Sequence, residues 1–180
     1  MAELSAEQLR IRSYLQAQAA KLTPTEIAAK VRADSEQLRA AAAAANAVDV
    51  TRRPAASEWS VNEVLKHLHE ASARVNRSIL AAALRGEQPG PIRDSIEQTS
   101  EVRTPGEWVA AIMAEREELF AAIAGLDGTE HLAIRWDHPF FGDLNWREWL
   151  LFLRLHDLDH AGQVRGIVEA LGDGALPAAR

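Results

Sequence analysis

The chain has 180 residues, 47% hydrophobic and 26% charged, which suits one globular domain with a buried core and excludes an intrinsically disordered chain. It contains no cysteine, so disulfides, a thiolate nucleophile, iron–sulfur clusters and cysteine-ligated zinc are excluded, and any metal must sit on His, Asp or Glu. A formal net charge of -6 with no Lys/Arg cluster argues against a nucleic-acid partner, whose affinity comes largely from neutralised phosphates.

Read from its N-terminus, the chain repeats one helix-start signature. A short polar residue is followed three positions later by Glu or Gln, a pair that satisfies two orphan backbone N–H groups reciprocally. Ser5 with Gln8 opens a first helix over 6–21. Thr23 with Glu26 opens a second over 24–47, with Pro24 at the first helical position, where a missing N–H costs nothing. Its Ala-rich end, 40–45, is an unbroken apolar run. That is far short of the roughly 20 residues that cross a bilayer, so it reads as close helix packing. The start, MAELSAEQLR, is polar rather than signal-like, and the expectation is a soluble cytoplasmic protein with no membrane partner.

Ser60 with Glu63 opens a third helix over 61–85, where Trp59 and Val64 can form the flanking hydrophobic staple. A polar connection, 87–103, carries Pro89, Gly90 and Pro91. Thr104 with Glu107, and Pro105 inside them, open a fourth helix over 105–125. The second long connection, 126–144, ends in the aromatic loop Trp136-Asp137-His138-Pro139-Phe140-Phe141-Gly142; loops of that length in a compact domain are often functional. Asn145 with Glu148, a looser pair, opens a fifth helix over 146–171. Gly86, Gly125 and Gly172 each follow a helical pattern and can take the left-handed conformation that ends a helix. No stretch reads as a strand. The expected fold is all-α: a four-helix bundle of the last four helices with an additional N-terminal helix. The corresponding divisions are an extension over 1–22, a bundle domain over 23–173 and a tail over 174–180.

The last helix carries the strongest chemical signal. His156 and His160 are four apart, so they point within about 40° of each other, and Gln163 follows one turn on. Trp149, Phe152, Leu153, Ile167 and Leu171 share their face, which turns both imidazoles toward the core. A buried imidazole needs hydrogen-bond partners or a metal, since unsatisfied nitrogens cost about 1–3 kcal/mol. Two core histidines bonded to polar neighbours or water would meet the same demand.

A third ligand would come from the helix opened by Ser60, which offers His67 and His69 on opposite flanks of an apolar stripe centred on Leu68. Spacing alone does not choose between them. His67 has small neighbours in Ala71 and Ser78; His69 lies on the bulkier side with Leu65 and Leu80. Glu63 could reach a metal, but its capping role is a sufficient reason for its presence. Asp159 borders the His156/His160 face and could orient an imidazole or a metal-bound water, or simply be solvated. His138, before a proline, is a candidate lid or turn residue, and His131 has no evident role. The Glu-x-x-His pairs of a di-iron bundle, a Gly-rich phosphate loop, a Gly-x-Ser-x-Gly elbow and His-Glu-x-x-His do not occur. Haem ligation stays open, but three histidines from two helices suit one small divalent ion better.

Taken together, Trp59-Ser60-x-x-Glu63-x-x-x-His67-Leu68, His138-Pro139-x-x-Gly142, Glu148-Trp149 and His156-Asp157-x-x-His160-x-x-Gln163 resemble the DinB/YfiT-like metalloenzymes, a superfamily of bacterial four-helix bundles. The resemblance covers roughly residues 24 to 171. It implies one divalent ion, variously zinc, nickel, manganese or iron, held by His67, His156 and His160, with Gln163 close to it. It also suggests a homodimer. Relatives include S-transferases using bacillithiol or related low-molecular-weight thiols, a mycothiol-dependent maleylpyruvate isomerase, and proposed metal-dependent hydrolases. The resemblance thus implies transfer of a low-molecular-weight thiol to an electrophile, or hydrolysis of a small substrate. The alternatives are a non-catalytic metal- or ligand-binding stress-response protein and a purely structural bundle. With no cysteine in the chain, a thiol would have to arrive as a cosubstrate.

Overall fold

The computed structural model describes residues 4–92 and 100–173. The expected tail, 174–180, and the middle of the 87–103 connection lie outside the described residues. The fold is mostly helical with one small antiparallel sheet. Its elements are α1 (Ala6–Lys21), α2 (Pro24–Ala44), a 3-10 turn (Ala45–Ala47), α3 (Val61–Arg85), α4 (Pro105–Ile123), β1 (Arg135–His138), β2 (Gly142–Asn145) and α5 (Trp146–Asp173).

The reciprocal caps form at the helix starts where the sequence places them. Ser5, Thr23, Ser60 and Thr104 each accept from the backbone N–H three residues on, while Gln8, Glu26, Glu63 and Glu107 accept in return. The looser pair is equally reciprocal. Asn145 Oδ1 accepts from Glu148 N–H at 3.1 Å, and Glu148 accepts from Asn145 N–H at 3.1 Å. Glycine stops are more selective than expected. Gly86 ends α3 at φ 65, but α4 ends on a right-handed Ala124, and Gly172 stays inside α5. The 24–47 helix likewise tightens into a 3-10 turn for its last three residues.

One expectation fails outright. Residues read as loop form a hairpin, with Trp136 opposite Leu144 and His138 opposite Gly142. Strands of four residues are too short to display a period of two. What holds them is tertiary: Trp136 and Leu144 are both buried, and Trp136 stacks on Trp149 of α5 at 5.5 Å and 7° between planes.

α5 packs against α2 and α3, α4 against α3 and α2, and α1 against α5. The apolar core falls into two clusters. One, at the hairpin end, gathers Leu15, Ile27, Val31, Ile79, Leu119, Trp146 and Leu150. The other gathers Leu38, Leu65, Leu68, Trp108, Ile112 and Val164. Between them α2 to α5 each contribute a buried polar residue to one layer: Ser35, Ser72, Arg116 and Asp157. Arg116 grips the Asp157 carboxylate with both terminal nitrogens. Ser35 Oγ donates to Asp157 at 2.7 Å, and Arg116 donates to Ser72 Oγ at 3.1 Å. The layer ties α5 to α2 and α4, and through Arg116 to α3, one residue from His156.

Candidate metal centre and its cavity

α3 and α5 bring His67, His156 and His160 together, with one ring nitrogen from each lying within 4.8 Å of the others. The Nε2 atoms of His156 and His160 are 3.0 Å apart. A tetrahedral ion with bonds of about 2.0–2.1 Å would set its ligand nitrogens roughly 3.3 Å apart. This pair is therefore already at ligand spacing, and the third ring is within reach of a small side-chain rotation. Burial, with the neighbouring His160 and His67 and the Arg116 charge, pushes the His156 imidazole well below its usual range. It stays neutral, as a metal ligand must be.

Neighbouring side chains hold the rings in place. Gln163 Oε1 lies 2.9 Å from His160 Nδ1. A proton on Nδ1 donated to that amide oxygen leaves Nε2 bare toward His156. Trp59 lies against His67 at 5.1 Å between ring centroids, and Phe152 stacks on His156 at 5.4 Å. Gln163 thus performs the orienting role considered for Asp159. The latter is exposed and lines the cavity.

The two histidines of α3 part ways. His69 turns to α4, where Nε2 meets Glu115 Oε1 at 3.0 Å and the ring lies on Trp108. Glu63 remains in its cap and pairs with Arg53, whose guanidinium is the first cause lowering the carboxyl to about 2. His131 is on the surface at φ 53, beside Gly86.

The three histidines face a cavity of about 760 Å³. His138, at the hairpin, lines it and is 3% exposed, caged by Phe141, Trp149 and Phe152 at 4.3 to 4.7 Å. Its Nδ1 accepts from Phe140 N–H at 3.1 Å, and burial pushes its imidazole down to about 3. Other parts of the wall had escaped sequence reasoning. α1 contributes Arg10, Ile11 and Tyr14, and α3 contributes Arg74. Arg74 follows His67 by seven residues, hence shares its face, and helical counting could have found it. The α1 contribution has no local signal.

No membrane-length apolar helix occurs among the described residues. YuaE of Bacillus subtilis (strain 168), described as uncharacterized, is 25% identical to this chain over 138 residues, covering 68% of it and 85% of YuaE. No solved structure matches. The family profile described as DinB superfamily matches residues 31–164, which include all three converging histidines, and the chain belongs to that superfamily.

Proposed function

We propose that the chain is a metal-dependent enzyme in which His67, His156 and His160 hold one divalent ion, zinc, nickel, manganese or iron, within a four-helix bundle formed by α2 to α5. The observation that carries this reading is the convergence of three imidazoles from two helices on one largely apolar cavity. Such an ion, when bound, supplies Lewis acidity and lowers the pKa of a thiol or water. The reaction is either transfer of a low-molecular-weight thiol to an electrophile or hydrolysis of a small substrate.

The chain's own residues divide the remaining work. Gln163 fixes the tautomer of His160. Trp59 and Phe152 restrict rotation of His67 and His156. The aromatic group around His138 keeps one wall dry, which strengthens electrostatics inside the cavity. No protein thiolate exists, so a sulfur nucleophile comes only from a cosubstrate.

The test is metal content after purification without chelator, expected near one ion per chain. Alanine at His67, His156 or His160 should empty the site, and retention of metal by all three variants would refute the assignment. Thiol cosubstrates are then screened against epoxide and halide electrophiles, with hydrolytic substrates alongside. Turnover that requires both the ion and added thiol supports the transferase arm. Bound metal with no turnover across both panels supports a non-catalytic binder instead.

A further inference from the structure

Arg74 is the anomaly of the cavity wall. It makes no hydrogen bond or ion pair among the described residues, and its Nε is buried without a partner. Five other arginines are held by carboxylates: Arg32 by Glu117, Arg53 by Glu63, Arg116 by Asp157, Arg135 by Glu148 and Arg154 by Asp34. A guanidinium with an unused donor fork at the edge of an apolar cavity is suited to a planar anion.

Its position relative to the histidines is set by the helix. His67, Ala71 and Arg74 lie at i, i+4 and i+7, one face of α3, and seven residues rise about 10.5 Å. Ala71 leaves a shallow floor between the two ends. Opposite, Phe152 and Trp149 continue the wall away from His156 along α5, and Ile11 and Tyr14 of α1 add to it. The lining carries two cations, Arg10 and Arg74, and one carboxylate, Asp159. Asp159 is next to His160 in the chain, at the histidine end. Among the described residues Arg10 pairs only with Glu7, at 3.8 Å on the surface. A shallower groove continues from Arg74 past Arg77, while Arg85 farther along it is paired with Glu87 at 2.9 Å.

We infer that the cavity accepts an elongated amphipathic anion, its apolar body on Phe152, Trp149 and Ile11 and its charged end on Arg74, about two helical turns from His67. The inference rests on the proposed function only in taking the histidine end as the reacting end. Arg74 is then a specificity residue that discriminates acids from their neutral analogues.

The probes are 4-phenylbutyrate, its primary amide and 3-phenylpropyl phosphate, followed by quenching of tryptophan fluorescence in protein as purified and after chelator treatment. The carboxylate should bind at least about ten-fold tighter than the amide in both preparations, the range for a charge-assisted pair. Comparison with the phosphate identifies which anionic head is preferred. Arg74→Gln should bring carboxylate and amide within about two-fold while metal content stays unchanged; Arg74→Lys should keep part of the preference. Equal binding of acid and amide by the wild-type chain overturns the inference. So does a preference that survives Arg74→Gln, and one seen only with metal present would place the acid on the ion, leaving the metal reading intact. Conversely, an Arg74-dependent preference in a chain that holds no metal sustains the anion site and removes the metal reading. If Arg74→Gln does not fold, Arg74→Lys decides: retained preference supports the inference, and its loss overturns it.

Discussion

Replacing Asp157 by alanine tests the buried polar layer directly. Asp157 and Arg116 are 0% and 1% exposed at their side chains, and the carboxylate receives two guanidinium nitrogens and the Ser35 hydroxyl. Ser35 retains a second acceptor, the Val31 carbonyl at 2.8 Å, so the loss falls mainly on Arg116. A buried guanidinium stripped of its counter-charge costs about 3–5 kcal/mol, a large fraction of the roughly 5–15 kcal/mol that stabilises a typical domain. With a urea slope of about 2 kcal/mol/M, the midpoint should fall by about 1.5–2.5 M, read from tryptophan fluorescence. The double variant Arg116→Met/Asp157→Leu should recover most of the loss. Arg116 Nε already lacks a partner, so the native pair is incompletely satisfied, and an apolar replacement removes that penalty too. A loss below about 1 kcal/mol for Asp157→Ala, or a double variant as unstable as the summed singles, would refute this account.

Two further predictions concern His138 and Gly86. Burial holds the His138 imidazole at about 3 in the folded chain, against about 6.5 when unfolded, so the unfolded state binds the extra proton between those values. Its contribution is present above pH 6.5 and is lost as pH falls toward 3, by several kcal/mol. His138→Phe should therefore flatten the fall in urea midpoint between pH 7 and pH 4; an unchanged slope would contradict it. Gly86→Ala should cost about 1–2 kcal/mol, because φ is 65 and the new Cβ would meet His131 Cε1 at 2.9 Å. Thermal melts of Gly86→Ala with and without His131→Ala separate the two causes, since the second change relieves only the contact.

The helices were legible because their starts are written locally. Each cap needs two residues three apart, and Ser60/Glu63 or Thr104/Glu107 carry that instruction whatever surrounds them. The converging histidines were half legible. Spacing put His156 and His160 on one face, but His67 and His69 flank Leu68 symmetrically, and only the position of Glu115 on α4 shows why His69 turns away. The hairpin was hidden because its stability comes from Trp149 and α5 rather than from its own alternation. The Ser35–Ser72–Arg116–Asp157 layer was hidden for a related reason. Each member looks like an ordinary polar residue on its own helix, and the ion pair exists only once four helices are aligned.

α1 lies outside the matched span of residues 31–164, yet it supplies Arg10, Ile11 and Tyr14 to the cavity wall. The three histidines fall within the matched span, whereas part of the cavity wall is carried by a helix outside it. Substitutions in α1 can therefore reshape part of the cavity wall without touching the three histidines. Membership of the superfamily thus bears on the histidine cluster more directly than on this part of the cavity wall.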